Sequence, residues 1–436
     1  MVDPVVLDHN QQVCFDDYLG GKNVCIVASA GCGKSVVLRL ISEHARTRHG
    51  PNGVAVCSWY GAAADLIGGQ TLHSFFRCGV HLLSPADFVS TTKRAGIVSR
   101  LNGLRLLVVD EVFTITAAWM VVFLAALRGV SPPGLQQHPA GGVQIIFAGD
   151  PLQTLPVDLA LSPTGLVVFR CLQWRSLFRS WRGGCRLLAT NYRQSGDRAY
   201  AELLLRLRVG GQTSIDLASM NATWNSFDNE QRKKMPHLRA VNDSVEGHNM
   251  EQLAALQGVG RVYVAVDTVT ATTDASKRAA TDKLKHKGIE NLHVKVAAPV
   301  VAVRRLSPSV PTGTVGSVVA MPSDDVLVCM FKGEVLSVCR VEWEAFDEEG
   351  RVLGRRKQIP VLLAWALTIH RAQGSEMECV CIDFSVDAWA CEGLVYAALS
   401  RVRSFSALCV RGLTERHVKI SAVSMAFWRA LLESEQ

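Results

Sequence analysis

The stretch Asn23–Arg46 reads NVCIVASAGCGKSVVLRLISEHAR, and it decides the fold. A short run of β-branched residues leads into a loop of small residues, and apolar residues in helical spacing follow the loop. Strand, loop and helix thus surround ASAGCGKS at 28–35, which is close to the phosphate-binding pattern G-x-x-x-x-G-K-[ST]. Ala28 stands where that pattern begins with glycine. We expect it to be tolerated, because a strand end with negative φ suits alanine.

The loop has the chemistry of a phosphate site. Gly31 and Gly33 permit tight turns whose N–H groups face phosphate oxygens. Lys34 would reach the outer phosphates, and Ser35 would ligate Mg²⁺ where the helix dipole favours anions. The alternative is a plain turn between a strand and a helix. The predicted nucleotide-binding residues of the loop are Ala30, Gly31, Cys32, Gly33, Lys34 and Ser35.

Apolar strands continue on the C-terminal side of this unit, alternating with helical patterns. They lie at 53–59, 104–112 and 142–150, and a second set lies at 238–256, 358–374, 379–384 and 406–412. Near-continuous apolar strands that alternate with helices predict parallel sheets covered on both faces. The Val-rich, turn-rich segment 260–357 predicts β structure inserted into the second set, and the polar segment 220–237 predicts an irregular surface connection.

Carboxylates and an amide follow two of these strands. Asp110 would hold the hydrated Mg²⁺, and Glu111 would orient or deprotonate the attacking water. Gln153 follows the strand at 142–150 and would contact the γ-phosphate or its water. Strand ends that simply reach solvent are the plainer alternative.

Two arginines complete the predicted catalytic set. Arg193 in NYRQ and Arg401 in ALSRVRS would stabilise charge on a transferred phosphoryl group from another domain. A solvated arginine is the alternative for either one. We therefore predict Lys34, Glu111, Gln153, Arg193 and Arg401 as catalytic residues, and Ser35 and Asp110 as metal ligands.

The composition is compatible with these patterns without proving them. The chain has 436 residues, 48% of them hydrophobic and 19% charged, and a net charge of +7. This mild excess suits a polyanionic partner and equally suits an ordinary globular protein. The 13 cysteines include no C-x-x-C pair, which argues against a zinc site or a disulfide framework. No apolar run reaches membrane-spanning length, and the first residues resemble neither a signal nor a transit peptide.

The motifs, taken in order, resemble those of superfamily-one helicases, and specifically the petite integration frequency (Pif) family of 5′-to-3′ DNA helicases. The resemblance covers nearly the whole chain. Beside ASAGCGKS it rests on LDHNQQ, AADLIGGQTLHSFF, VVDE, GGVQIIFAGDPLQTLPV, NYRQ, VNDSVEGHN, RKQIPVLLAWALTIHRAQGSEM and VYAALSRVRS. The last two are the longest and most specific. The segments EVFTITAAWM, GDPLQTLPV and RRLSPSVPTG depart from the family pattern.

The resemblance implies an α/β architecture of two RecA-like P-loop motor domains with parallel sheets. The first would cover 1–190 and carry a small wedge insertion at about 77–102. The second would cover 191–436 and carry an SH3-like β insertion at about 255–350. ATP would lie in the cleft between them, and single-stranded DNA would cross both.

The resemblance also implies further site residues. Gln11, with Gln12 as the alternative, would contact adenine, and Gly374 would lie at the nucleotide. The implied DNA contacts are Thr71, His73, Phe75, Thr368, His370 and Gln373. Hydroxyl and imidazole groups suit phosphates and an aromatic ring can stack on a base, although Phe75 and His370 can equally be packed core residues.

These features together predict an ATP- and Mg²⁺-dependent DNA helicase moving 5′ to 3′ on single-stranded DNA. Its partners would be single-stranded and forked or structured DNA, without a membrane, and it would be a monomer. The family is associated with DNA replication, recombination, repair and telomere maintenance. We therefore expect an intracellular protein of the nucleus or the mitochondrion. The alternatives are a viral-type superfamily-one RNA helicase and a nucleic-acid-binding scaffold without turnover.

Overall fold

A six-stranded parallel sheet forms the centre of the first half of the chain. The computed structural model describes residues 6–79, 82–94, 96–156, 165–178, 184–285, 288–347 and 351–435. The strands are β1 (Val24–Ala28), β2 (Val54–Ser58), β3 (Gln70–Thr71), β4 (Leu106–Asp110), β5 (Gln144–Gly149) and β6 (Cys185–Leu188). Their order is β3-β2-β4-β5-β1-β6, and all neighbours run parallel. The strands predicted from the apolar runs are confirmed.

Helices cover both faces of this sheet. They are α1 (His9–Leu19), α2 (Lys34–His49), α3 (Gly61–Leu66), α4 (Leu72–Phe76), α5 (Pro85–Arg94), α6 (Val98–Gly103), α7 (Ala117–Val130) and α8 (Leu172–Phe178). Alternate side chains of β1 point to opposite faces. Ile26 packs with α1 and α2, whereas Val27 packs with the aromatic core beneath α4 to α8.

The segment predicted as a wedge insertion is helical in its described part. Phe88 of α5 lies edge-on to Phe123 of α7 at a centroid distance of 5.7 Å, and it also contacts Phe76. The segment is therefore anchored on the first core. Its function as a wedge stays a prediction.

The second half begins with α9 (Arg198–Arg208), α10 (Ser214–Ala222), α11 (Asn229–Lys234), β7 (His237–Arg239) and α12 (Asn242–Ala255). The prediction that 220–237 is irregular was wrong, because most of this segment is helical. Asp228 caps α11 and forms a reciprocal capping box with Gln231, a D-x-x-Q signal that the sequence contained.

The inserted region is built of antiparallel sheets. Its elements are β8 (Arg261–Val264), β9 (Val266–Val269), α13 (Asp274–Lys285), β10 (Asn291–Val294), β11 (Pro299–Ala302), β12 (Val315–Ala320), β13 (Val326–Phe331), β14 (Glu334–Cys339), β15 (Val341–Phe346) and β16 (Val352–Gln358). The β-rich character is as predicted, but α13 was not foreseen, and the SH3-like assignment stays a prediction.

The remaining elements return to the second core. They are β17 (Val361–Leu363), β18 (Ala366–Thr368), α14 (Ile369–Ala372), β19 (Val380–Asp383), α15 (Leu394–Leu399), β20 (Leu408–Arg411) and α16 (Ala422–Glu435). β17 extends the inserted five-stranded sheet, in the order β14-β13-β12-β11-β17. The other strands form a parallel sheet in the order β18-β7-β19-β20.

The C-terminal helix α16 packs on the first core although it follows the second sheet. Phe427 stacks on Phe169 at a centroid distance of 4.4 Å and also contacts Phe113 and Trp174. The predicted range 191–436 for the second domain thus ends in a helix that belongs, by its packing, to the first. No helix of the described ranges is long and apolar enough to cross a membrane.

Candidate active site

The phosphate-binding loop between β1 and α2 is tightly enclosed. Gly31 and Gly33 have φ angles of 83° and 78°, which favour glycine. A Cβ on Gly31 would lie 2.7 Å from Cβ of Arg193, and a Cβ on Gly33 would lie 2.5 Å from Nε2 of Gln11. Both positions therefore need glycine for backbone conformation and for space.

Ala28 has the negative φ that the sequence analysis expects of it. It ends β1, where it pairs with Leu188 of β6. Among the described non-glycine residues, positive φ is confined to Arg77, Glu111, Ala297 and Lys332. Ala28 is thus in a conformation open to any L-residue, and the substitution leaves the loop intact.

Lys34 is a buried cation held by its own loop. Its Nζ donates to the carbonyls of Ala28 and Ser29 at 2.9 and 3.0 Å. Ser35 follows on the first turn of α2 and is partly exposed. The amine and the hydroxyl are therefore placed at the N-terminus of α2, where anions are favoured.

The carboxylates of the VVDE segment, Asp110 and Glu111, lie at the end of β4. Asp110 is buried and accepts the N–H of Glu111 at 2.9 Å. Burial, and then the charge of Glu111, raises the pKa of Asp110 to about 7, while Lys34 opposes the change. Such a desolvated carboxylate fits a divalent cation, which would compensate its charge.

Glu111 adopts a backbone conformation that is rare for its type. Its φ is 54°, and its carbonyl accepts the hydroxyl of Thr114 at 2.6 Å. Non-glycine residues held in this region are concentrated at functional sites, where the surrounding structure maintains the strain. The carboxylate accepts Nε2 of Gln373, from the second domain, at 3.2 Å.

The side-chain amide of Gln153 is oriented by Asp150. Its Nε2 donates to Oδ2 of Asp150 at 3.2 Å. Because an ionised carboxylate only accepts hydrogen bonds, this contact fixes which end of the amide is which. Its Oε1 is buried and has no partner among the described residues. This oxygen can therefore accept a hydrogen bond, and the second N–H of the amide can still donate one.

Asp150 is held by a buried ion pair between the two domains. Arg208, at the end of α9, donates to both of its oxygens at distances down to 2.7 Å. The Arg208 guanidinium also lies 4.0 Å from the ring centre of Trp428 on α16. The sequence analysis did not predict this ion pair, because its only sequence signal is an acidic residue, Asp150, that follows an apolar strand.

The two predicted arginines approach the loop from the second domain. Arg193 donates to the carbonyl of Ser400 at 2.9 Å and pairs with Glu376 at 3.3 Å. Arg401 is buried and donates to the carbonyl of Ala397 at 2.7 Å. Burial, and then the neighbouring charge of Arg193, lowers the pKa of Arg401 to about 10. Two adjacent cations with little solvent favour an anion between them.

Further hydrogen bonds join the loop region to the second domain. The N–H of Ala30 donates to the hydroxyl of Tyr396 on α15 at 3.0 Å. Thr154 donates to Oε1 of Gln373 at 3.0 Å. Tyr396 and Thr154 were not predicted, because their only sequence signal is their position within long motifs.

Gln11 lies beside the loop, as the resemblance implies. Its Oε1 accepts the N–H of Asp8 at 3.1 Å, so its amide nitrogen is directed towards Gly33. Tyr192 covers the same glycine and donates its hydroxyl to Asp8 at 2.7 Å. Tyr192 was not predicted, although it lies inside the quoted NYRQ motif.

A cleft of about 1,270 Å³ runs between the two domains and under the inserted sheet. Thr368, His370 and Gly374 line it, together with Tyr60 and Trp365. Gly374 is therefore placed in this cleft and not against the phosphate loop. Thr368 is mostly buried and caps α14 through the N–H of Arg371.

Four of the predicted DNA contacts are not in the cleft lining. Phe75 is 3% exposed and packs in the first core against Phe76, so a base cannot stack on its ring here. His73 packs between Trp59 and Trp119. Thr71 caps α4 through the N–H of Ser74, and its hydroxyl bonds that serine. Gln373 is buried between Thr154 and Glu111.

Local structure accounts for the positions of these four residues outside the cleft lining. The motif TLHSFF forms a capped helical turn whose large apolar side chains face the core. Gln373 follows the last residue of α14, and its side chain leaves the cleft for the carboxylate of Glu111. It therefore couples the cleft to the loop site without lining the cleft.

The residues present fit a magnesium–nucleotide complex. Gly31 and Gly33 let the neighbouring side chains approach the loop closely. Lys34 and the two arginines supply positive charge, and Asp110 supplies a desolvated oxygen ligand. With two parallel sheets around such a cleft, the fold and the site define a class of protein: a P-loop motor of two RecA-like domains.

Comparison with known proteins finds Pif1 helicases. Residues 6–214 match the model of the PIF1-like helicases. The ATP-dependent DNA helicase PIF1 of Danio rerio is 29% identical over 433 residues, which cover 98% of this chain and 64% of that protein. The corresponding helicase of Bdellovibrio bacteriovorus is 25% identical, with 98% and 93% covered. The chain is thus similar to Pif1 helicases over nearly its whole length.

Solved structures of Pif1 helicases are similar to this chain as well. The crystal structure of the Pif1 helicase from Candida albicans has a TM-score of 0.87 and 26% identity, covering 98% of this chain and 100% of that one. A Bacteroides Pif1 helicase in complex with ADP-AlF3 and ssDNA shares the fold, with a TM-score of 0.76, 23% identity, and 99% and 98% covered. The chain spans about 64% of the length of the vertebrate relatives.

Proposed function

We propose that this chain is an ATP-dependent DNA helicase that moves 5′ to 3′ along single-stranded DNA. The observation that carries the proposal is the bond from Gln373 to Glu111, which joins the end of α14, beside the interdomain cleft, to the predicted catalytic carboxylate. The names of the relatives support DNA and ATP as substrates. The Bacteroides Pif1 helicase, which shares the fold, has been solved in complex with ADP-AlF3 and ssDNA, and this supports a nucleotide and single-stranded DNA as ligands.

The nucleotide site is assigned residue by residue. Lys34 would bind the outer phosphates, and Ser35 and Asp110 would hold Mg²⁺, which supplies charge stabilisation at the transferred phosphoryl group. Glu111 accepts a proton from the attacking water, and Oε1 of Gln153 accepts a second hydrogen bond from it. Arg193 and Arg401 donate to the oxygens on which charge develops.

Coupling to DNA runs through α14. This helix presents His370 to the cleft, and Gln373 follows directly after its last residue. A strand in the cleft would shift α14, and Gln373 would move the carboxylate of Glu111 with it. Repeated closing and opening of the domains would then shift the protein along the strand, and duplex ahead of it would separate.

The direct test is unwinding of matched duplexes with single-stranded tails. We expect ATP-dependent separation of DNA duplexes with 5′ tails, little separation with 3′ tails, and no activity for Lys34→Ala. Preference for 3′ tails would overturn the direction, and preference for matched RNA duplexes would favour the RNA helicase alternative. Tight DNA binding by wild type without any ATP hydrolysis would favour the scaffold.

We further propose that the enzyme acts in DNA maintenance inside the cell and unwinds as a monomer. Forked substrates test the second statement, since the rate of unwinding by a monomer rises in proportion to protein concentration. A steeper dependence at subsaturating concentration would contradict a monomeric unit.

A further inference from the structure

Two rings face each other across the cleft, one from each motor domain. Tyr60 precedes α3 at its N-cap, just after β2 of the first sheet. His370 lies in α14, just after β18 of the second sheet. Their ring centroids are 6.2 Å apart, and the ring planes are inclined by 53°. Each ring thus follows the carboxyl end of a strand of a parallel sheet.

Both rings can interact with a ligand in the cleft. Tyr60 and His370 are partly exposed, and both belong to its lining. Burial lowers the pKa of His370, so its imidazole is a neutral aromatic ring at neutral pH. Neutral rings stack on any nucleobase because every base has a π face.

The two rings contact each other, so a base can lie between them only after they move apart. Stacked bases are about 3.4 Å apart, so a base between two parallel rings needs a gap of about 6.8 Å. The centroid distance of 6.2 Å at an inclination of 53° is a direct contact between the rings and not such a gap. Separation of the domains, with rotation of one ring, would be needed to admit a base.

The two domains are in direct contact at the same place. A Cβ on Gly374 would lie 3.4 Å from Cα of Ala63, so the loop after α14 rests directly on α3. The next residue towards α14 is Gln373, which bonds Glu111. Because both rings are attached to these two elements, their separation follows domain closure.

We propose that Tyr60 and His370 form a base clamp in which one nucleobase of the single strand is held between the rings. The clamp opens when the domains separate, and it expels the base when they close. The clamp would couple each cycle of ATP hydrolysis at Glu111 to a nucleobase as well as to the phosphate backbone. The inference rests on the proposed function, since it requires single-stranded DNA in the cleft.

The test uses short oligodeoxythymidylates in which a single abasic site is placed at successive positions. For wild type, we expect affinity to fall about 5- to 10-fold at one position, where the clamped base is missing. Tyr60→Leu should bind intact DNA more weakly and show no such position. Tyr60→Phe, which keeps the ring, should behave like wild type.

Lys234→Gln is the matched control, since Lys234 lines the same cleft without a ring. It should weaken binding equally for all oligonucleotides and leave the sensitive position in place. If Tyr60→Leu keeps the position-specific loss, the clamp is refuted. If wild type shows no ATP hydrolysis stimulated by single-stranded DNA, the proposed function itself fails. The two failures are therefore distinguishable.

Discussion

Asp110 is the residue at which stability and activity conflict most directly. Burial and the charge of Glu111 raise its pKa from 3.8 to about 7. The native state therefore holds this proton more tightly than the unfolded chain does. It follows that the free energy of unfolding falls as the pH rises from about 4 to about 7. This cost is what a bound cation would offset.

We therefore predict that Asp110→Asn abolishes ATP hydrolysis and stabilises the protein without Mg²⁺ and nucleotide. At pH 8 its melting temperature should exceed that of wild type by about 2–4 °C, and the difference should vanish near pH 4. Thermal unfolding followed at both pH values measures this. A variant that melts below wild type at pH 8 would contradict the assigned cause of the pKa shift.

At the scale of the element, α14 matters because it serves the cleft and the loop site together. Gln373 accepts from Thr154 and donates to Glu111. A leucine there would keep the volume but lose both bonds. We predict that Gln373→Leu binds single-stranded DNA as wild type does. Its rate of DNA-stimulated ATP hydrolysis should be about tenfold lower than that of wild type.

The control is the same substitution at Gln137, an exposed residue in a turn away from the cleft. Gln137→Leu should leave both DNA binding and stimulation unchanged. An equal loss of basal and stimulated hydrolysis in Gln373→Leu would argue against coupling and for damage to the catalytic carboxylate alone.

Elements could be predicted from the sequence wherever local pattern decides them. The strand–loop–helix unit around Lys34 follows from β-branched spacing, glycine positions and helical periodicity. The position of Phe75 could not be predicted, because a ring in TLHSFF has the same local pattern whether it faces core or solvent. Its burial depends on α7 and on packing across the sheet. The bond from Gln373 to Glu111 joins residues 262 positions apart and has no local signal.

At the scale of the whole molecule, Asp150 and Arg208 join the domains through a fully buried pair. The exposed fractions of their side chains are 0% and 1%, and Trp428 of the C-terminal helix covers the guanidinium. Removing one partner from such a pair leaves an uncompensated buried charge, which costs about 3–5 kcal/mol. The pair also orients Gln153 through Asp150.

We predict that Arg208→Ala lowers the free energy of unfolding by about 3–5 kcal/mol. The double variant Arg208→Met with Asp150→Leu should recover much of this loss, because no charge stays unpaired. Urea unfolding of the three proteins tests the prediction. An Arg208→Ala midpoint equal to that of wild type would show that the pair does not hold the domains together.

The proposed function requires that a strand in the cleft controls chemistry at the loop site. ATP hydrolysis by wild type and Lys34→Ala, with and without single-stranded DNA, tests it most directly. We predict that DNA strongly stimulates wild type, whereas Lys34→Ala loses at least about 100-fold of the stimulated rate and still binds DNA. A wild-type rate that DNA leaves unchanged, or full stimulation of Lys34→Ala, would contradict the account.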